Sequence, residues 1–317
     1  MENLNSLRNP IAILALTGWA DAGNAGCDLA EYLTDRYPSE EITRIDDERF
    51  YNFQENRPVQ RLRADGVTID WPHVSVSVVH MEDRDVVVAH GIEPNLMWRT
   101  FTEQLLDVLT QCQVSTVIIL GAQLVDTPHT RDFPYGVYST SPEVAATLPG
   151  VDLTEYTGPT SALGVLSQRL DEEKIPAAQV WVSIPHYVVD PPNPKAQLTL
   201  LEAIEEVFGI TFDKSDLPAR TLEWEEGISR LTSQTADIST YVSELESTYD
   251  QEVAEESSGQ QVMQEIEDFL RVARRFDAPP FAQQRSVAAD DEERRHFALD
   301  DAARKLDVDL VAVVKGA

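Results

Sequence analysis

Short apolar, β-branched runs alternate with helix-length amphipathic segments over roughly the first 210 residues. The run at 11–16, IAILAL, contains no polar residue, which is typical of a strand that is covered on both faces. The pattern also predicts strands at 74–79, 86–90, 114–120 and 180–184, and helices at 25–36, 95–111, 161–173 and 194–208. Such alternation predicts an α/β fold in which helices cover the faces of a sheet.

The pattern changes after about residue 215, where strand-like runs stop. Residues 217–249 are acidic, with apolar residues three and four apart, which predicts helices. We expect them to pack on the α/β part through Leu222, Ile228 and Leu231. Residues 251–261 resemble a linker, 262–275 a further helix and 277–295 a loop. The chain is therefore predicted to contain an α/β domain at 1–212 and a smaller helical C-terminal region at 213–317.

The composition is that of a soluble globular protein with an acidic surface. Hydrophobic residues make up 42% of the 317 residues, charged residues 25%, and the mean hydropathy is −0.27. The 55 Asp and Glu residues outnumber the 25 Lys and Arg residues, which gives a net charge of −30. Affinity for phosphate requires clustered basic residues, so we expect no binding to nucleic acid or to an anionic membrane. A basic protein partner remains compatible with this charge.

The sequence predicts no metal, cofactor or disulfide. Cys27 and Cys112 are the two cysteines, and neither forms part of a CxxC or Cys/His spacing. The first ten residues lack the basic and apolar regions of a signal peptide, and no apolar stretch approaches the length of a membrane span. We therefore expect a cytoplasmic protein.

Polar residues that are candidates for ligand binding lie at the ends of the predicted strands at 11–16 and 86–90. The junction 18–26 contains Asp21 and Asn24, which either cap the following helix or contact an anion at its N-terminus. The spacing fits neither GxGxxG nor GxxxxGK[ST]. His90 ends the strand at 86–90 and Glu93 follows it, and the two form an acid/base pair, half of a metal site or a set of hydrogen bonds to the loop backbone. Ligands of open α/β sheets bind at this edge.

Similar residues follow the two later strands. His129 and Arg131 lie after the strand ending near residue 121, and His186 lies after the strand at 180–184. Arginine offers a planar donor for a carboxylate or phosphate, and histidine exchanges protons near neutral pH. Arg131 has an alternative local partner in Asp132. The three histidines lack the carboxylate spacing of a metal site, and no GxSxG or Cys/His nucleophile pair occurs.

Taken together, five segments resemble successive blocks of the proteasome assembly chaperone family, in the subtype related to its second eukaryotic subunit. They are GWADAGNAG, HGIEPNLMWRTF, GAQLVDTPHTRDFPYG, YTGPTSALGVL and VSIPHYVVDPPNPKAQLTLLE. The similarity extends over about residues 8–275 and is to the bacterial branch, whose added helical region has a pattern similar to QQVMQEIEDFLRVARR.

This resemblance implies a three-layer α/β/α domain of the phosphorylase/hydrolase-like type, a smaller helical C-terminal addition and self-association, for which we first expect a trimer. It also implies protein partners, with proteasome-related subunits among them. In chaperone members a C-terminal tripeptide with a penultimate tyrosine enters pockets between α-subunits. This sequence ends Val314-Lys315-Gly316-Ala317, so we do not expect that mode of binding.

Two functions from different classes follow. The first is a non-enzymatic, chaperone-like interaction protein, which is what the resemblance implies. The alternative is an enzyme or small-anion-binding protein that uses the His/Arg/Asp residues at the carboxyl ends of the strands. Convergence of those residues in one concave pocket would favour the second function.

Overall fold

The computed structural model describes residues 4–63 and 66–255. In this part of the chain the strands are β1 (Ile11–Thr17), β2 (Ser39–Ile45), β3 (Val59–Arg63), β4 (Gly66–Asp70), β5 (Val74–His80), β6 (Asp85–Ile92), β7 (Val117–Val125), β8 (Tyr135–Ser139), β9 (Asp152–Leu153) and β10 (Ala177–Pro185). The helices are α1 (Ala25–Arg36), α2 (Trp98–Gln111), α3 (Pro142–Thr147), α4 (Ala162–Glu172), α5 (Pro194–Phe208), α6 (Leu217–Thr232) and α7 (236–255).

Eight strands form one mixed sheet in the order β2-β5-β6-β1-β7-β10-β8-β9. The central strands β6, β1, β7 and β10 are parallel, whereas β5 and β8 run antiparallel to their inner neighbours. The carboxyl ends of the four parallel strands therefore share one edge of the sheet. Strands β3 and β4 pair with each other in a separate hairpin.

Helices cover both faces of the sheet, as the uninterrupted apolar run in β1 predicts. Ile11, Ile13 and Ala15 face the layer that contains α1 and α5. Ala12 and Leu14 face the opposite layer, which contains α2 and α4. Alternate residues of a strand point to opposite faces, so a strand buried on both sides has no polar position. The predicted three-layer α/β/α architecture is confirmed.

The sequence pattern missed the strands at the periphery and misplaced the end of one central strand. No strand was predicted at β2, β3, β4, β8 or β9, because these segments mix polar and apolar residues and are largely exposed. Strand β6 continues to Ile92, two residues beyond the predicted end. His90 therefore lies inside the strand and not at its end.

Of the three residues that were predicted to pack helix α6 on the α/β part, Ile228 is half-buried and the other two are exposed. Leu222 and Leu231 are 64% and 62% exposed, so the expectation that they face the α/β part was wrong. Leu217 and Thr221 are buried instead, and Trp224 packs against the core beside Phe133. The three residues Leu217, Thr221 and Trp224 follow helical spacing, but the threonine conceals the stripe from a search for leucines.

Helix α7 continues to residue 255 and thus includes the start of the predicted linker. The predicted helix at 262–275, the loop at 277–295 and the chain end at 314–317 lie outside the described residues. The division of the chain at residue 212 therefore stays a prediction.

We predict that Leu217→Ala lowers the free energy of unfolding by about 2–5 kcal/mol, because it leaves a cavity beneath α6. The matched change Leu222→Ala removes an exposed side chain and should alter that free energy by about 0.5 kcal/mol or less. Urea titration followed by circular dichroism measures both values. Equal effects of the two substitutions would contradict this orientation of α6.

Candidate functional site

The seven residues that the sequence pattern indicates lie at or near the carboxyl ends of the four parallel strands. Asp21 and Asn24 follow β1, and His90 lies in β6, which Glu93 follows. His129 and Arg131 follow β7, and His186 follows β10. Their contacts divide them into two groups. Residues near β1 and β6 contact the helices that cover the sheet, and residues after β7 and β10 contact α6 and α7.

The buried Asp21 carboxylate caps α1. Its two oxygens accept hydrogen bonds from the backbone N–H groups of Gly26 and Cys27, at 2.7 and 3.0 Å. The first-turn N–H groups of a helix have no partner within the helix, so this carboxylate satisfies two of them. Asn24 adopts a left-handed conformation at φ 54° and makes no side-chain cap bond. Its contribution is the turn that leads the chain into α1.

Burial also changes the protonation of the carboxyl groups at this helix end. It raises the pKa of Asp21, and the bonds from Gly26 and Cys27 oppose the shift. Burial and the nearby Asp21 charge raise the pKa of Asp28, in the first turn of α1, to about 6. Asp28 therefore titrates close to neutral pH.

Glu93 makes a corresponding contact with α4. One carboxylate oxygen accepts a hydrogen bond from the backbone N–H of Ala162, the first residue of that helix, at 2.7 Å. Burial raises the pKa of the Glu93 carboxyl. Glu93 also lines a cavity of about 10 Å³ together with Ser161, Gln179 and Trp181. A space of this size holds about one water molecule.

His90 and Glu93 do not form the acid/base pair that their spacing suggested. The half-buried His90 ring lies on the side of α1, where the charges of Glu31 and Asp35 act on it. Glu93 instead contacts α4, in the opposite layer. Burial lowers the pKa of His90, which favours the neutral imidazole.

The buried His129 ring connects the loop after β7 to two other elements. Its Nδ1 lies 2.9 Å from the Tyr187 hydroxyl, which also accepts a hydrogen bond from the His129 backbone N–H. Its Nε2 lies 2.9 Å from the Ser229 hydroxyl on α6. Burial lowers the pKa of His129, so the ring is held neutral between two hydroxyl groups.

Lys195, in the first turn of α5, is a buried residue that the sequence pattern did not indicate. Its Nζ donates hydrogen bonds to the His129 carbonyl at 2.7 Å and to the Glu225 carboxylate on α6 at 2.8 Å. The ammonium group also lies 5.1 Å from the centroid of the Phe133 ring. These partners are distant in sequence, so no local motif marks the lysine. The Lys195 side chain is 9% exposed and the Glu225 side chain 31%, so this ion pair is partly buried.

Arg131 pairs with α7 rather than with its neighbour Asp132. Its guanidinium group donates to both carboxylate oxygens of Asp250, at 2.8 and 3.0 Å, and lies 3.5 Å from Glu246. The Asp250 carboxylate holds the pKa of Arg131 above its ordinary value. This is the geometry in which arginine binds a carboxylate through two hydrogen bonds. Asp250 therefore occupies the edge of the guanidinium group that would bind an anionic ligand.

His186 also reaches α7, through an aromatic group. Its Nδ1 lies 3.1 Å from the Asp126 carboxylate, and its ring packs edge to face against Tyr187 and Tyr241, with centroids 5.7 Å apart in both cases. The Tyr241 hydroxyl donates to the same Asp126 carboxylate.

We call His129, Arg131, His186 and Lys195 the anchor cluster. On α6, His129 contacts Ser229 and Lys195 contacts Glu225. On α7, Arg131 contacts Asp250 and His186 contacts Tyr241. These contacts hold α6 and α7 against the edge of the sheet. Among residues 4–63 and 66–255, no group of three or more His, Cys, Asp or Glu side chains is placed to bind a metal ion.

Comparison with known proteins agrees with this architecture. A model of the PAC2 family matches residues 15–232. The chain belongs to the PAC2 family. The resemblance inferred from the sequence blocks is thereby confirmed. No curated protein matches the chain.

Two solved PAC2 relatives from bacteria are similar over nearly their whole length. A PAC2 family protein from Streptomyces avermitilis is 36% identical with a TM-score of 0.68, and the match covers 74% of this chain and 99% of that protein. A proteasome-assembly chaperone homologue from Mycobacterium tuberculosis is 40% identical with a TM-score of 0.66, covering 73% and 99%. An archaeal homologue of proteasome-assembly chaperone from Pyrococcus furiosus shares the fold at 15% identity and a TM-score of 0.51, covering 77% and 96%.

We predict that Arg131→Ala frees α7 without unfolding the sheet. Loss of the bonds to Asp250 should increase amide hydrogen exchange within residues 236–255 several-fold, while exchange in β1 and β7 stays unchanged. The control Arg169→Ala removes an arginine that pairs with Glu103, Glu172 and Glu173. This control variant should show the same amide hydrogen exchange in α7 as the wild type. Unchanged exchange in α7 of the Arg131 variant would contradict the anchoring role.

We also predict a pH effect from Asp28. Because its pKa is raised to about 6 in the folded chain, the native state binds more protons than the unfolded state between about pH 4 and pH 6. The contribution of Asp28 to the free energy of unfolding therefore falls as pH rises through this window. Asp28→Asn should stabilise the protein at pH 7 relative to the wild type and lose this advantage at pH 4.

Urea titrations at pH 4, 5, 6 and 7 measure that difference. The control Asp35→Asn removes one negative charge from an exposed position of the same helix, so it corrects for the change in net charge. A constant difference between Asp28→Asn and the wild type across the series would show that the carboxyl is not perturbed.

Proposed function

We propose that this PAC2 protein is a non-enzymatic, chaperone-like interaction protein that binds other protein subunits and associates with itself. The observation that carries the proposal is the 40% identity, over 99% of its length, to a protein described as a proteasome-assembly chaperone homologue. The partner class to test first is accordingly proteasome-related subunits.

The contacts at the sheet edge support this function over the anion-binding alternative. Arg131, the natural anion ligand of the predicted set, is engaged by Asp250, and both ring nitrogens of His129 face hydroxyl groups. Asp21 and Glu93 are engaged by backbone N–H groups of α1 and α4. These side chains stabilise the framework that presents the outer surface.

The surface charge is compatible with protein partners. At a net charge of −30, the chain attracts basic protein surfaces and repels nucleic acid and anionic lipid. No helix in the described part of the chain combines the length and apolar composition needed to cross a bilayer. We retain the cytoplasm as the proposed location.

The test is a capture experiment with the full-length protein as bait in an extract of its source organism, followed by mass spectrometry and by binding of the purified candidates. A bait of equal negative charge but unrelated fold serves as the control, since acidic proteins capture basic ones unspecifically. Washing at about 0.5 M salt removes contacts that depend on long-range charge, because the screening length there is below about 5 Å.

We expect proteasome-related subunits to be retained by the PAC2 protein and not by the control bait, and to bind again when purified. If no purified subunit binds, and inorganic phosphate or a carboxylate raises the melting temperature of the wild type but not of Arg131→Ala, the anion-binding function replaces this proposal.

A further inference from the structure

The hairpin β3–β4 carries an exposed apolar face. Leu62 pairs directly with Val67, and Gln60 with Ile69, so these four side chains share one face. Leu62 is 86% exposed, Val67 58% and Ile69 45%. Trp71, one residue past β4, is also exposed and packs against Phe53. We call Leu62, Val67, Ile69 and Trp71 the hairpin face.

The opposite side of the hairpin is polar and charged. It contains Val59, Arg61, Arg63, Thr68 and Asp70. Arg61 forms an ion pair with Asp70 across the two strands, and Arg63 lies 3.9 Å from the same carboxylate. This charged side is suited to water, whereas the hairpin face gains stability when it is covered.

A two-stranded hairpin outside the main sheet also needs cover for its own stability. Isolated hairpins are marginal in water, and a third strand or a packed layer is normally required. Strands β3 and β4 have no strand neighbour other than each other among the described residues. Something that packs on the hairpin face would supply the missing layer.

Charge favours a second copy of the same chain as the occupant. Two molecules that each carry −30 repel each other over most of their surfaces. The hairpin face itself carries no charged side chain, and residues 57–71 contain three arginines, Arg57, Arg61 and Arg63, against two aspartates, Asp65 and Asp70. Two copies that meet at this face therefore bring apolar surface together where the local charge is not negative.

We propose that copies of this chain associate hairpin to hairpin, through the hairpin face. The proposal rests on the self-association that is part of the proposed function, and it identifies the surface through which the copies contact each other. Two five-residue strands span only about 17 Å by 10 Å. The area of this face is therefore well below the roughly 800 Å² that each partner buries in a stable interface. Association through this face should therefore depend on protein concentration, and it should strengthen as salt screens the net charge.

The first experiment compares two serine variants of the full-length protein on opposite sides of the same hairpin. Leu62→Ser removes an apolar side chain from the hairpin face, and Val59→Ser removes an exposed one from the charged side. Sedimentation velocity over a dilution series at two salt concentrations gives the dissociation constants. We expect Leu62→Ser to raise the dissociation constant at least tenfold and Val59→Ser to leave it within about twofold of the wild type.

The second experiment uses disulfide crosslinking, which reports proximity without relying on loss of binding. Both native cysteines are buried, so an engineered surface cysteine is the accessible thiol. Leu62→Cys should form chain-to-chain disulfides under mild oxidation, and Val59→Cys should form markedly fewer. Because each chain then carries one accessible thiol, the crosslinked product is a pair of chains in any assembly, and the sedimentation data give the number of copies.

The proposal is overturned if both serine variants associate as the wild type does, or if the two cysteine variants crosslink equally. A wild type that stays monomeric at every concentration and salt overturns it as well. A monomeric wild type also overturns the self-association in the proposed function, whereas a wild type that associates while the variants behave alike overturns the hairpin contact alone. Subunit capture is measured separately with the wild type, so its failure is distinguishable from both.

Discussion

Parallel pairing of β6, β1, β7 and β10 is the constraint on which the rest of the molecule depends. Parallel strands need crossover connections, and here the connecting helices cover both faces of the sheet. The same pairing sends four strand ends to one edge, where the chain must turn into loops and helix starts. Polar side chains collect there because helix N-termini and loop backbone groups need partners.

This PAC2 protein uses that edge for support of its own framework. Asp21 and Glu93 stabilise the first turns of α1 and α4, which fixes the helices relative to the strands they cover. The anchor cluster extends the same edge outward to α6 and α7. Arg131 and Lys195 each place a cation against carboxylates of these acidic helices, so part of the chain's large negative charge is neutralised where the helices meet the sheet.

The sequence predicted the central elements well because their signals are local. The bounds of α1 and α5 agree with the predicted ranges, since periodic apolar residues and a clear start and end mark both helices. The edge strands were missed because a segment such as β2, SEEITRI, derives its conformation from pairing with β5 and not from its own composition.

The residues of the site were indicated by type and position, and capping of α1 was one alternative for Asp21, but the long-range partners of the other residues were not indicated. Arg131 was expected to meet either a ligand or Asp132, and its partner is Asp250, more than 100 residues away. Lys195 had no signal, because its contacts with His129 and Glu225 exist only after three elements pack together. Long-range pairing of this kind has no counterpart in the spacing of residues along the chain.

The β3–β4 hairpin lies outside the eight-stranded sheet, so a substitution in the hairpin and a substitution in the core differ in their cost to folding. Core positions of a tightly packed domain change little, because each change costs stability. The exposed hairpin side chains contribute little to that core, so we expect substitutions there to cost the fold little stability. Related sequences can therefore diverge in the surfaces they present while retaining one scaffold, and the hairpin is a segment in which such divergence carries little penalty for folding.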